Sequence, residues 1–211
     1  MTDEAKRPVE LWEAVYRAKS PCGVSWYAPH LEKSLGLILS SPMGKVARVI
    51  DVGGGASTLV DDLLDAGFSH VTVLDIAGEA LEQSKARLGA RAGQVAWITG
   101  DVTEVSLPER TYDVWHDRAV LHFLVDMNDR RKYVTQIRRA VKPGGQVILA
   151  AFALSGPPKC SGLEVVRYSP ETLLRELGQG FILKEAASET HHTPFKTTQD
   201  FIYCRFELIA G

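Results

Sequence analysis

Long apolar runs are missing from this chain. The longest, Val147–Leu154, has eight residues, far short of the ~20 that a membrane-spanning helix needs. Cysteine is scarce: Cys22, Cys160 and Cys204 are odd in number and widely spaced, with no Cys-x-x-Cys. That gives no disulfide framework and points to reduced thiols and a cytoplasmic setting. A charge imbalance is missing too. With 24 Lys and Arg against 26 Asp and Glu, a net charge of −2, nothing calls for nucleic acid or a membrane surface as partner. Met1–Pro8 is polar and charged with no apolar segment behind it, so no secretory signal is expected. Internal repeats and low-complexity segments are absent. What is left is ordinary globular composition, 211 residues with 45% hydrophobic and 24% charged, enough for a single domain over residues 1–211 with a sizeable core.

Val9, Trp12, Val15 and Tyr16 recur at helical spacing, and the spacing predicts an amphipathic helix over Pro8–Ser20, broken by Ser20–Pro21–Cys22–Gly23. Leu31, Leu35, Ile38 and Leu39 mark a second helix. From Ala47 the pattern alternates regularly. Strands are expected at Ala47–Val52, His70–Asp75, Gln94–Thr99, Thr111–Trp115 and Gln146–Phe152. Helices are expected at Leu59–Ala66, Glu79–Leu88 and Arg130–Val141, the last stopped by Lys142–Pro143–Gly144–Gly145. That alternation implies a parallel sheet with right-handed crossovers. Ala153–Leu163 reads as a loop, and Ser169–Pro170 opens a helix to about Leu177. Phe181–Ala187 and Asp200–Ile209 read as two late strands joined by a polar, His-containing connection. The whole is an α/β fold, Rossmann-like, with a seven-stranded mostly parallel sheet, helices on both faces and a C-terminal antiparallel hairpin. Residues 1–45 would form an N-terminal helical lid, 46–152 a ligand-binding core, and 153–211 the substrate-side loop and final strands.

The organising stretch is Val49–Ile50–Asp51–Val52–Gly53–Gly54–Gly55–Ala56–Ser57–Thr58, a strand, a glycine turn and a helix start. Free N–H groups there can donate to a ligand, and glycine lets it approach the backbone. A dinucleotide turn needs Gly-x-Gly-x-x-Gly, but the third glycine is replaced by Thr58. A P-loop is excluded because no Gly-Lys-Ser/Thr follows. Instead Asp51 precedes the glycines, Asp75 ends the second strand and Asp101 follows the third. Ligands of parallel sheets bind outside the carboxyl ends of the strands, so the three carboxylates should line one rim. They suit an ammonium, a ribose diol and an adenine amine, and no Lys or Arg cluster accompanies them for phosphates. Each Asp alone is also an ordinary cap or turn residue; the set of three is not.

These segments resemble the class I S-adenosylmethionine-dependent methyltransferases. The resemblance rests on Val49–Ser57, Val73–Leu74–Asp75–Ile76, Gly100–Asp101–Val102, Tyr112–Asp113–Val114 and Val141–Lys142–Pro143–Gly144–Gly145, in the family's order over roughly residues 47–152. Leu11–Trp12–Glu13–Ala14–Val15–Tyr16 and Val24–Ser25–Trp26–Tyr27 resemble the entry segment of small bacterial members and of related lysine methyltransferases. The resemblance implies S-adenosylmethionine as cofactor and S-adenosylhomocysteine as product. The backbone of Gly53, Gly54 and Gly55 would hold the methionine part, with Asp51 ordering the loop. Asp75 would hold the ribose, Asp101 and Val102 the adenine, with Gly100 also at the cofactor, and Ile76 would flank the ring.

Trp12, Tyr16, Trp26 and Tyr27 read either as core packing or as a lid over a sulfonium; Trp26 is the foremost cofactor contact among them, since an aromatic face attracts a cation by ~0.5–2 kcal/mol. His116–Phe123 follows the fourth strand, where related enzymes face the transferred methyl. Asp117 and His122 are the catalytic candidates, to position or deprotonate the acceptor, with Asp117 also near the cofactor. If the stretch is helical, Arg118 and His122 share a face; the alternative is a junction in which Asp117 caps and His122 packs. His191 and His192 lack a third ligand, so no metal is expected. The first-ranked function is methyl transfer to a small-molecule nucleophile. A protein lysine methyltransferase is second. A metalloid or thiol methyltransferase using the cysteines, a non-catalytic cofactor-binding protein and a nicotinamide oxidoreductase follow.

Overall fold

Short β-branched runs and periodic Leu- and Ala-rich segments alternate from Val49 onward, and the computed structural model shows each folding as that composition dictates. It describes residues 8–19 and 23–209; Cys22 and the Ser20–Cys22 break lie outside them. Helices α1 (Pro8–Ala18) and α2 (Glu32–Leu39) come first, followed by β1 (Val49–Val52), α3 (Leu59–Asp65), β2 (Val71–Asp75), α4 (Gly78–Leu88) and β3 (Val95–Thr99). The second half comprises β4 (Tyr112–Arg118), α5 (Met127–Ala140), β5 (Val141–Phe152), a small hairpin of β6 (Lys159–Cys160) and β7 (Leu163–Glu164), α6 (Pro170–Leu177), β8 (Phe181–His192) and β9 (Thr198–Leu208).

The main sheet has seven strands in the order β3-β2-β1-β4-β5-β9-β8. The first five pair in parallel, and β9 runs antiparallel to both β5 and β8. The expected mixed sheet with a closing antiparallel hairpin is therefore what forms. The chain moves outward from β1 to β3 and then crosses back to β4 on β1's other side. That reversal opens a crevice between the carboxyl ends of β1 and β4.

All of β1 and β2 is buried, and alternate residues serve opposite faces. Ile50 and Val52 join Trp115, Tyr133 and Ile137 in one cluster, covered by α5 and α6. Val49 joins Leu37, Leu59, Leu63, Val73 and Leu81 in the other, covered by α2, α3 and α4.

Five segments differ from the sequence-based expectation. Ala153–Leu163, expected as a loop, contains β6 and the start of β7, which pair as a short antiparallel hairpin. β4 continues through His116 and Asp117 to Arg118, because β1 and β5 pair with it on both sides. The helical alternative for this stretch is therefore wrong. Ala119 then turns with φ 78° into a short 3-10 turn at Leu121–Phe123. Helix α5 starts earlier than expected, at Met127, because the Asp126 side chain accepts from the amides of Asn128 and Asp129. The Lys142–Gly145 stretch lies within β5 rather than before it. His191 and His192 end β8 and pair with Gln199 and Thr198, so they belong to a strand and not to a loop.

Tyr133 ties α5 to β4 inside the core. Its hydroxyl donates to Asp117 Oδ2 at 2.5 Å and accepts from Trp115 Nε1 at 3.1 Å. Tyr133→Phe keeps the ring but leaves a buried indole N–H unpaired and a buried carboxylate one donor short. Urea unfolding should show a loss of ~1–3 kcal/mol; a change within error would mean that these bonds add nothing to folding.

Candidate functional site

The turn after β1 is packed from below by side chains. A Cβ on Gly53 would overlap Val120, one on Gly54 would overlap Asp51, and one on Gly55 would come within 2.6 Å of Asp75 Oδ2. Gly53 and Gly55 also have positive φ, 70° and 31°. Helix α4 fixes the turn from the side. Ser84 Oγ donates to the Gly55 carbonyl at 2.6 Å, and Arg87 donates to the carbonyls of Ala56 and Ser57 while pairing with Asp61. The neighbours leave only backbone at this position, a cradle for a ligand in close approach.

Three carboxylates surround the cradle. Asp51, on β1, pairs with His116 across the sheet at Nδ1, 2.7 Å away, and His116 Nε2 meets Ser34 Oγ of α2 at 2.9 Å. This buried relay fixes the Asp51 carboxylate under Gly54. Asp75 receives the Ala77 amide on Oδ1 at 2.8 Å and the Gly55 amide. Burial, with some repulsion from Asp51 and Glu13, pushes the Asp75 carboxyl up to about 7. Asp101 Oδ1 accepts from the Thr103 amide and hydroxyl, which ties down one edge and turns the carboxylate toward the cavity rim.

A cavity of about 550 Å³ runs from Asp75, Ile76, Gly100, Asp101 and Val102 past Gly53 to Phe152 and Phe201. A smaller one, about 50 Å³, adjoins it at Asp51, Gly53 and Gly54. Of the residues expected to meet a cofactor, Trp26, Gly53, Asp75, Ile76, Gly100, Asp101 and Val102 line the larger cavity and Asp51 and Gly54 the smaller. Gly55 supports from behind. Asp117 lines neither.

One wall is a chain of edge-to-face rings. Tyr16 meets Trp26 at 6.4 Å, Trp26 meets Trp12 at 5.7 Å and Trp12 meets Phe123 at 5.0 Å between centroids. His122 sits between Phe123 at 4.5 Å and Phe152 at 4.6 Å, and Phe152 meets Phe201 at 4.9 Å. Helix α1 delivers Trp12 and Tyr16 because it docks on α4. Glu13 accepts from the Gly78 amide at 2.8 Å, Gln83 donates to the Tyr16 carbonyl and Arg17 pairs with Glu79.

The catalytic expectations for Asp117 and His122 change. Asp117 is fully buried, and its oxygens accept from the amides of Val120 and Leu121 and from Tyr133. Burial pushes it up to about 6 despite those donors. It braces the turn below the cradle and does not touch the cavity. His122 lines the cavity, but burial, helped by the Arg118 charge, pushes its imidazole down to about 3. Its Nδ1 accepts the Phe152 amide at 3.4 Å, so the ring is neutral with its proton on Nε2, which has no partner among the described residues. A group so weakly basic is mismatched to proton abstraction near neutral pH; it can donate a hydrogen bond.

The two cysteines among the described residues do not converge. Cys204 packs in the α5 and α6 cluster and Cys160 in the opposite one; burial pushes both thiols up, Cys204 to about 12. Among the described residues no group of three or more His, Cys, Asp or Glu could hold a metal.

Phe152 and Phe201 escape sequence reasoning as site residues, and within the His116–Phe123 stretch His116 and Phe123 are not singled out. For His116 the one available signal is that it lies opposite Asp51 if β1 and β4 pair in register.

Comparison with known proteins agrees with this chemistry. Residues 49–145 match a family model described as a methyltransferase domain. The mouse eEF1A lysine and N-terminal methyltransferase is 23% identical over 150 residues, 68% of this chain and 21% of that protein. Nodulation protein S of Rhizobium tropici is 28% identical over 115 residues, 54% of this chain and 47% of that protein. The chain thus spans less than half the length of these curated relatives. The crystal structure of N-methyltransferase NodS from Bradyrhizobium japonicum WM9 with S-adenosyl-l-homocysteine superposes with TM-score 0.67 at 19% identity, covering 97% of this chain and 89% of that one. The phosphate-free cradle, the acidic rim, the sheet order and the matched segments converge, and the chain carries a class I S-adenosylmethionine-dependent methyltransferase domain.

Proposed function

We propose that this protein methylates a small molecule held at the aromatic end of the cavity, between Phe123, Phe152 and Phe201. The observation that carries this reading is the form of the site. The cavity of about 550 Å³ takes the cofactor at its acidic rim and the acceptor beyond it, and that far end is closed by the fully buried rings of Phe152 and Phe201 rather than opening into a groove, as small-molecule sites do.

The cofactor, when bound, supplies a methyl group already activated on a sulfonium. Asp75 would accept from the ribose hydroxyls, Asp101 from the adenine amine, and Ile76 and Val102 would flank the base. The Gly53–Gly55 backbone and Asp51 would hold the amino-acid end. The ring wall keeps water out, and alignment of the two reactants contributes ~7–11 kcal/mol to lowering such a barrier. Asp117 is out of reach of the cavity and His122 is too weakly basic, so neither serves as a base, which suits an acceptor atom that arrives unprotonated or loses its proton to solvent.

A second reading, a protein lysine methyltransferase, is favoured by the carboxylates Glu104, Asp126, Asp129 and Glu164 along the cavity, which suit a cationic side chain. The two are separated by thermal-shift titration with S-adenosylmethionine, S-adenosylhomocysteine and a nicotinamide cofactor, then by labelled-methyl transfer to amines, hydroxyls, thiols and soft-element oxyanions and to lysate proteins. Stabilisation by the first two ligands alone, with label in a small-molecule acceptor, is the expected result. Label confined to protein lysines would replace the small-molecule reading. Binding without transfer to any acceptor would leave a cofactor-binding protein.

Asp75 makes cofactor affinity depend on pH. Below about 7 its carboxyl is protonated in the free protein, and one acceptor for the ribose diol is lost. Binding that favours the ionised form must release a proton, so S-adenosylhomocysteine affinity should rise from pH 6 to pH 8. Calorimetry in buffers of different ionisation enthalpy checks both affinity and proton release. In Asp75→Asn binding should weaken and this pH dependence disappear.

A further inference from the structure

Arg118 is the last residue of β4 and sits where the two cavities meet. Both are lined by Tyr16, Trp26, Gly53 and Arg118. Among the described lining residues of the two cavities, Arg118 is the only Lys or Arg. Its side chain is held on three sides. Nε donates to the Tyr203 hydroxyl at 2.9 Å, one terminal nitrogen donates to the Trp26 carbonyl at 3.1 Å, and the guanidinium lies over the Phe201 ring at 4.5 Å.

None of those contacts neutralises it. The half-buried guanidinium has no ion pair among the described residues, whereas the partly buried Arg87, Arg130 and Arg205 pair with Asp61, Glu176 and Glu185. The neighbouring Asp117 carboxylate is turned away, onto Tyr133 and the backbone. A guanidinium carries five N–H donors and remains charged, and here the second terminal nitrogen has no protein acceptor among the described residues. A partly desolvated, rigidly placed cation without a counter-ion calls for an anion in the cavity.

The cavity residues supply acceptors for an ammonium, a diol and an amine, but Arg118 is the one fixed cation. A methionine moiety carries one anion. We propose that Arg118 is the anchor for the α-carboxylate of the methionine part of the cofactor, and so sets the position of the sulfonium relative to the aromatic end of the cavity. This rests on the cofactor reading above and adds a role for a residue that the glycine cradle and the acidic rim leave unused. The fork suits it, since Arg meets carboxylates through two parallel N–H bonds.

The test is equilibrium binding by calorimetry with two probes, S-adenosylhomocysteine and its decarboxylated analogue, which keeps the adenosine and the amine. Wild-type protein should prefer the carboxylate-bearing probe by roughly tenfold or more, the scale of a charged hydrogen-bonded contact. In Arg118→Met that preference should collapse, with affinity for the decarboxylated probe unchanged within roughly twofold. Arg118→Lys, which keeps the charge without the fork, should retain an intermediate preference. Equal weakening of both probes would make Arg118 only a brace for the Trp26 segment and overturn the assignment. A retained preference in Arg118→Met would do so too, moving the guanidinium's role to the methyl acceptor. The wild-type comparison needs no folded variant: no preference between the probes there overturns the assignment while leaving the cofactor reading intact, and failure to bind either probe overturns both.

Discussion

There is no room for side chains beneath the turn after β1, and the site is built around that constraint. Val120, Asp51 and Asp75 already occupy the volumes that Cβ atoms on Gly53, Gly54 and Gly55 would need. The glycines in turn permit those three groups to lie directly under a ligand. Val120 can do so because β4 ends in the left-handed Ala119, a conformation costing of order 1–2 kcal/mol for a residue with a Cβ. Asp117 holds the turn that follows by accepting two of its amides. The cradle is therefore a joint product of β1 and of the residue sequence that terminates β4, on the two sides of the switch point.

Electrostatics follow from the same geometry. Asp51 and Asp75 are buried close together, and burying carboxylates is costly unless they are hydrogen-bonded. Each is treated differently. His116, on the adjacent strand, and Ser34 behind it complete Asp51's partners inside the protein. Asp75 has only amides, and its raised proton affinity is the mark of a group still short of donors. A ligand presenting two hydroxyls would complete it. The cavity is thus electrostatically unfinished in an informative way. Among the described residues it has an acceptor-rich rim at one end, one guanidinium without an ion pair at the seam, and a wall of rings beyond.

Local signals reveal one part of this and not the other. The alternation from Ala47 to Phe152, the glycine turn and the aspartates at the strand ends are readable because each depends on residues near it in the chain. Seven strands, mostly parallel, follow from that alternation together with the two late strands. The His116 relay is not local, since it needs the register that sets His116 beside Asp51. Nor is the ring wall, assembled from α1, the turn after β4, β5 and β9. Asp117 shows the converse error. A carboxylate after a strand looks available in the sequence, but here β4 runs three residues further, to Arg118, carrying Asp117 inward to Tyr133. The same misjudged strand ends placed His191 and His192 in a loop. Strand ends are set by the neighbouring strands, which the local pattern does not contain.

The burial of Asp117 and the low basicity of His122 bear on how the domain works. With neither available as a base, the methyl transfer proposed above would draw on position and on exclusion of water. Trp12 and Tyr16 are supplied by α1, which is attached by Glu13 to the α4 amide, by Arg17 to Glu79 and by the packing of Tyr16 with Ala77 and Ala80. The rings that α1 carries inward form part of the wall. They make a cluster of their own, because the two large apolar clusters lie on the sheet faces and do not include Trp12 or Tyr16.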